Sequence, residues 1–186
     1  MRMMPEFHAG DLLFFYGTGW KSRVIEAATL GPSHVGMIFV YRDQPMLIES
    51  TTLCDLPCQI CGEASGVHAR RPEARIASYD GKVFHSAIRK PRRFHREQSS
   101  QLTATILGQY HGLPYDMAGA IESPTVLALA QYPDFGSLFC SALCADLLQG
   151  FAKGAAGKNP KRVTPAGLAR ITRRQGSHLP MTEVRV

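Results

Sequence analysis

The sequence predicts an α+β fold, because short apolar runs of β type and amphipathic stretches of helical type both occur along its 186 residues. Hydrophobic residues make up 45% of the chain and charged residues 19%, which is ordinary for a folded protein with a buried core. This composition excludes a wholly disordered, a collagen-like or a coiled-coil protein. The length suits one domain, which we place at residues 1–175 and follow with a polar C-terminal tail over 176–186.

The predicted strands lie mainly in the first half of the chain. An aromatic-rich apolar run at 12–16 predicts a buried strand. Two β-type runs at 35–41 and 46–51 flank a short turn-forming segment, which predicts an antiparallel hairpin. Residues 52–68 contain three cysteines and several turn formers, and we expect a loop there, with one more strand at 83–88.

The predicted helices follow from helical spacing of apolar residues and from their start and stop signals. Thr164 and Pro165 form a typical start, a hydroxyl cap followed by proline at the first helical position. An apolar run at 125–130 fits either a helix or a strand. The predicted helices span residues 20–30, 97–110, 116–121, 139–148 and 165–171.

Cys140 is the strongest candidate for a nucleophile. The predicted helix begins beside it, just after a Gly-Ser breaker, so unpaired amides and the positive end of the helix dipole would stabilise its thiolate. The Cys140 amide would then be available as one oxyanion donor. Cys144, one turn later, is better explained as a small packing residue, and the same packing role is the alternative for Cys140.

His34 and Glu49 are the candidate base and orienting carboxylate. His34 lies at the start of a predicted strand, and Glu49 is a carboxylate within an otherwise apolar strand. A two-residue hairpin turn would place Gly36 opposite Glu49 and make His34 and Glu49 diagonal neighbours on one face. A register shifted by one residue would separate them, so a surface histidine and an edge-strand glutamate are the alternative.

Six short motifs occur in order between about residues 10 and 170: Gly10-Asp11-Leu12-Leu13-Phe14-Phe15, Ser33-His34-Val35-Gly36-Met37-Ile38, Ile48-Glu49-Ser50, Gly112-Leu113-Pro114-Tyr115-Asp116, Phe139-Cys140-Ser141 and Thr164-Pro165-Ala166-Gly167-Leu168-Ala169. Their order and spacing resemble the circularly permuted branch of the NlpC/P60 papain-like superfamily. The resemblance implies Cys140 as nucleophile, His34 as base and Glu49 as the group that orients the imidazole. It also implies an antiparallel sheet or small barrel packed against helices, with the cysteine at a helix N-terminus.

The function that this resemblance implies is a thiol hydrolase that cleaves an amide, in a peptide or cell-wall peptide, or an ester through an acyl-thioester. Two alternatives stay open, a lipid acyltransferase or thioesterase of the same fold and a non-catalytic binding module with a papain-like cleft. Trp20 and Tyr115 are candidates for lining the substrate cleft, with core packing as the alternative for each.

The loop cysteines form a separate candidate site. Cys54, Cys58 and Cys61 have a C-x3-C-x2-C spacing that resembles the cluster-binding loop of radical SAM enzymes, but the barrel of that family is larger than this chain readily provides. With His68 they would complete a tetrahedral shell for a structural zinc ion, while three thiols without metal are the alternative. We expect no cofactor in the thiol chemistry itself.

The net charge of +6 lies mainly in two segments, 61–100 and 151–186. Such segments can attract an anionic partner, although solvated surface charge is the commoner explanation, and no nucleic-acid motif accompanies them. The sequence contains neither a recognisable signal peptide nor an apolar run long enough to span a membrane, so we expect a soluble, cytoplasmic protein. The odd number of cysteines, five, fits a reducing compartment.

Overall fold

The computed structural model describes residues 4–19, 22–23, 26–27, 30–51, 54–63, 66–113, 136–155 (backbone only for 136–139), 159–160 and 163–185. Its centre is an open antiparallel sheet, which confirms the α+β class and the antiparallel sheet predicted from the sequence. The six strands are β1 (Leu12–Gly17), β2 (His34–Tyr41), β3 (Gln44–Thr51), β4 (Gly66–Arg70), β5 (Gly81–Ser86) and β6 (Thr182–Val184). Across the sheet they follow the order β4-β3-β2-β1-β5-β6.

The α-helices whose bounds lie in the described part of the chain are α1 (Pro72–Ala77), α2 (Arg96–Thr105), α3 (Gly136–Gly150) and α4 (Pro165–Arg174). A 3-10 turn at Lys90–Arg92 precedes α2, and a π-helical turn at Ile106–Tyr110 follows it directly. The Thr164 hydroxyl accepts a hydrogen bond of 3.0 Å from the Gly167 amide, which confirms the predicted start of α4. Among the residues described, none of the helices combines the length and apolar character needed to cross a membrane.

The sheet buries a different apolar core on each face because side chains alternate along every strand. Phe14 and Met37 belong to the larger core, which also contains residues of α3 and α4 such as Leu148 and Leu168. Phe15, together with Leu13, Ile38 and Leu47 of β1, β2 and β3, belongs to a smaller core that includes Ile76 of α1. Helices α3 and α4 therefore cover one face of the sheet, and α1 packs on the other.

Several short elements differ from the sequence prediction. The predicted loop 52–68 is too long, because β4 begins at Gly66 and pairs with β3, and α1 follows immediately. Residues 176–186 are not a loose tail, because Thr182–Val184 pair with β5. His178, in the same segment, is buried, and its Nε2 lies 2.8 Å from the Gly10 carbonyl oxygen. The predicted helix at 116–121 and the apolar run at 125–130 lie outside the described residues.

Candidate functional site

The β2–β3 hairpin has the register that the sequence predicts. Arg42 and Asp43 form its two-residue turn with φ of 50° and 59°, values that match a type I′ turn, and Tyr41 pairs with Gln44. From this turn, the paired residues of β2 and β3 continue to Met37 and Ile48. The same register brings the two candidate polar residues together at the far end of the hairpin.

His34 and Glu49 are in direct contact. The His34 Nε2 atom lies 2.7 Å from the Glu49 Oε2 atom. The His34 side chain is 12% exposed, whereas the Glu49 carboxylate is fully buried. The His34 ring also lies beside Phe15, with 5.3 Å between ring centroids, so an apolar side chain holds it in place.

Two buried arginines keep Glu49 ionised. The Arg75 Nε atom donates to Glu49 Oε1 at 2.8 Å, and Arg70 Nη1 lies 3.4 Å from the same oxygen. Burial alone would raise the pKa of Glu49, but Arg75, His34 and Arg70 together lower it to about 2. The sequence did not indicate these arginines, because they lie in a basic segment that is typical of a solvated surface.

Cys140 is the third member of the cluster that His34 and Glu49 form. Its thiol hydrogen-bonds the His34 ring, and since Nε2 faces Glu49, Nδ1 is left for the sulfur. Burial alone would lower the pKa of His34, but Cys140 and Glu49 raise it to about 9. Cys140 itself is buried, so the partly exposed His34 ring is the part of this group nearest to solvent.

The position of Cys140 in its helix differs from the prediction. Helix α3 begins at Gly136, so Cys140 is its fifth residue and lies beyond the first turn. The free amides of a helix belong to its first turn, and the expected role of the Cys140 amide as an oxyanion donor therefore loses its basis. Cys144 is fully buried, and burial raises the pKa of its thiol well above the usual value, which agrees with a packing role.

A second group combines two cysteines and two histidines. One ligand atom from each of Cys58, Cys61, His68 and His111 lies within 4.8 Å of the others, so these residues could hold a metal ion. The expected loop site is therefore corrected in one member, since Cys54 is not in the group and His111 is. Sequence spacing gave no signal for His111, which is far along the chain and reaches the loop only through the fold.

Other predicted site residues are not brought into either group. Trp20 and Tyr115, the candidates for lining a cleft, lie outside the described residues. No disulfide links any of the five cysteines, all of which fall within the described ranges.

Comparisons with known proteins bear on the fold. No family model matches the chain, and no curated protein matches it either. Among solved structures, the chain is similar to the crystal structure of the metalloprotein yiiX from Escherichia coli O157:H7, described as DUF1105. The two chains are 19% identical, the match covers 96% of each, and the TM-score is 0.52. At this identity the likeness shows a shared fold and nothing about activity.

Proposed function

We propose that this protein is a thiol hydrolase of the circularly permuted NlpC/P60 papain-like type, with Cys140, His34 and Glu49 as its catalytic triad. The observation that carries the proposal is the His34 ring, which bonds the Cys140 thiol and the buried Glu49 carboxylate at once. A nucleophile, a base and a group that orients the base are the parts that acyl transfer requires. The substrate class is an amide, in a peptide or cell-wall peptide, or an ester.

The reaction follows from these roles. The Cys140 proton passes to His34, and the sulfur attacks the carbonyl carbon of the substrate to form a tetrahedral intermediate. The C–N or C–O bond then breaks, His34 gives its proton to the leaving group, and an acyl-thioester stays on Cys140. Water, deprotonated by His34, attacks this thioester. The C–S bond breaks, the acid leaves, and the proton returns to the sulfur.

The buried charges support this division of roles. Glu49 stays ionised beside Arg75 and Arg70, so it accepts a hydrogen bond from the ring and holds it in one orientation. If the carboxylate became protonated near neutral pH, it would no longer hold the imidazole through a charged hydrogen bond. The raised pKa of His34 favours transfer of the Cys140 proton to the ring, which then holds the proton needed by the leaving group.

Two alternatives share the same geometry. If an alcohol or amine reaches the acyl-thioester before water does, the protein is an acyltransferase, for example of a lipid acyl group. If the buried Cys140 thiol is never reached by a substrate, the chain is a binding module that retains a papain-like cleft. Product analysis separates the first alternative from hydrolysis, and thiol reactivity separates the second.

A structural zinc ion near the 54–68 loop is a proposal of a different kind. The mixed cysteine and histidine group supports it, and so does the description of the structural neighbour as a metalloprotein. Such an ion would stabilise the loop rather than take part in the thiol chemistry, because the triad already holds its nucleophile, base and orienting carboxylate.

The test of the triad is the reactivity of Cys140 towards small probes. We expect iodoacetamide to alkylate Cys140 faster than it alkylates glutathione at neutral pH, as followed by peptide mass spectrometry. His34→Ala should slow this alkylation by roughly tenfold or more, because the base is gone. With p-nitrophenyl acetate we expect a burst of p-nitrophenolate and an acetyl group on Cys140.

The controls are matched by residue type. Cys144→Ala and His8→Ala should leave the alkylation rate of Cys140 unchanged, since neither residue belongs to the triad. If Cys140 in the unmodified chain reacts no faster than glutathione, the hydrolase proposal is wrong. If it reacts fast but gives no acyl adduct, acyl transfer through Cys140 is contradicted as well.

A further inference from the structure

We propose that Cys58, Cys61, His68 and His111 bind one Zn²⁺ ion. This ion would link both the turn that carries Cys58 and Cys61 and the segment that carries His111 to the edge strand β4, which carries His68. This site is independent of the triad and of the thiol chemistry. It also differs from the loop site predicted by sequence spacing, because its fourth ligand comes from the chain after the π-helical turn and not from Cys54.

The distances within the group fit a tetrahedral metal. The Cys58 sulfur lies 3.2 Å from His111 Nε2, and the Cys61 sulfur lies 3.5 Å from His68 Nδ1. With Zn–S near 2.3 Å and Zn–N near 2.0 Å, a tetrahedral ion separates sulfur and nitrogen ligands by about 3.5 Å. The four side chains are therefore arranged as a zinc shell requires, with little rearrangement needed for binding.

The turn around the two cysteines is built to present sulfur ligands. The amides of Ile60 and Cys61 both point at the Cys58 sulfur, the first at 3.4 Å. N–H donors of this kind favour a thiolate, the form that binds metal. The Gly62 amide donates to the Cys58 carbonyl at 2.9 Å, and Gly62 has a φ of +82°, which closes the turn after the second cysteine.

The surroundings of the group also suit a metal ligand set. The Nε2 atom of His68 lies 3.9 Å from a carboxylate oxygen of Glu63, so the ring has an acidic neighbour on the side away from Cys61. Cys58 and His68 are buried whereas Cys61 is exposed, which gives an ion a path to the site.

The donor types select the metal. Two sulfur and two imidazole nitrogen ligands suit Zn²⁺, while Mg²⁺ and Ca²⁺ require oxygen ligands. Zinc in a closed shell of four protein ligands has no open position for a substrate. The structure therefore assigns the ion a structural role.

The backbone shows which segments the ion would join. The Gln59 amide donates to the Ala69 carbonyl at 2.9 Å, which sets the cysteine turn against β4. On the same strand, Val67 donates to the Leu113 carbonyl at 3.0 Å and accepts from the Gly112 amide at 2.9 Å. Zinc would thus reinforce these backbone hydrogen bonds at the edge of the sheet through ligands on both segments.

The metal content of the purified full-length chain tests this proposal. We expect about one zinc ion per chain by mass spectrometry of the metal, the stoichiometry of a closed four-ligand site. After exchange for Co²⁺, we expect the visible absorption of a tetrahedral site with thiolate ligands. Metal below a tenth of an equivalent after zinc loading, or a Cys58–Cys61 disulfide in its place, would overturn the proposal.

Variants identify the ligand set. His111→Ala should lose at least nine tenths of the zinc, and Cys54→Ala should keep it all; the reverse result would favour the loop-only site and overturn this one. His111→Cys should restore zinc and strengthen the thiolate absorption of the Co²⁺ form. This rescue keeps the test decisive if His111→Ala fails to fold, because loss of zinc from His111→Cys would also count against the proposal. Cys140 alkylation in the same samples reports on the triad separately.

Discussion

Glu49 is a charged residue buried in the protein interior, where an unpaired charge is unfavourable, and its neighbours explain why it is tolerated. An isolated carboxylate buried in an apolar strand would be strongly destabilising. Arg75 donates to it at 2.8 Å while lying over the rings of Phe15 and Tyr79, each 5.0 Å from the guanidinium. The apolar rings shield the arginine from solvent and hold its charge against the carboxylate. Arg75 is therefore a positioning residue for Glu49.

Replacing Arg75 by methionine should be strongly destabilising. Methionine fills much of the same space between the rings but leaves Glu49 short of its closest cation. Removing one partner of a buried ion pair lowers the free energy of unfolding by about 3 kcal/mol, which urea denaturation can measure. Arg71→Met is the matched control, since Arg71 is 38% exposed and pairs with Glu73 at the surface. We expect it to change the stability by less than about 0.5 kcal/mol. Equal effects of the two variants would show that Arg75 does not sustain Glu49.

Elements that carry a regular apolar pattern were predictable, and short edge elements were not. The hairpin of β2 and β3 follows from two apolar runs and a turn, so its register could be worked out in advance. In β4 the sequence Gly-Val-His-Ala-Arg places His68 and Arg70 in buried positions, and a pattern of hydrophobic residues does not reveal such a strand. β6 has only three residues and depends on pairing with β5.

Removing β6 tests whether this short strand contributes to stability. Its Val184 is 8% exposed and packs in the smaller core, and its backbone covers the edge of β5. A chain that stops after Pro180 should lose about 2 kcal/mol in its free energy of unfolding, mainly from the lost burial of Val184. A chain that stops after Val184 is the control, because it lacks Arg185, whose side chain is 77% exposed. If both chains unfold at the same urea concentration, the strand adds nothing to the fold.

At the scale of the whole molecule, some contacts of the candidate site could be predicted from a local sequence pattern. Others depend on how distant elements pack in the fold. His34 and Glu49 share one hairpin, so their contact follows from strand register. Cys140, Arg75 and His111 come from other elements, and their meeting depends on how those elements pack. The family resemblance supplied Cys140 as a member of the triad. Nothing comparable pointed to Arg75 or His111.

The pH dependence of folding follows from the two shifted groups in the site. Folding raises the pKa of His34 from 6.5 to about 9, so its contribution to stability is complete below pH 6.5 and is lost as the pH rises through 9. Folding lowers the pKa of Glu49 from 4.5 to about 2, so its contribution is complete above pH 4.5 and is lost as the pH falls through 2. Both contributions are complete only between pH 4.5 and 6.5.

The difference in the free energy of unfolding between the unmodified chain and His34→Gln isolates this effect from other titrating groups. We expect the difference to be largest between pH 4.5 and 6.5 and to shrink steadily towards pH 9, as measured by urea denaturation at each pH. His8→Gln is the control, because its side chain is 26% exposed and its acidic neighbour Glu6 is 87% exposed. Its difference from the unmodified chain should stay small, because an ion pair with an exposed carboxylate contributes little. A His34→Gln difference that grows above pH 6.5 would contradict the raised pKa of His34, and with it the stabilisation of the protonated ring by Cys140 and Glu49 in the folded protein.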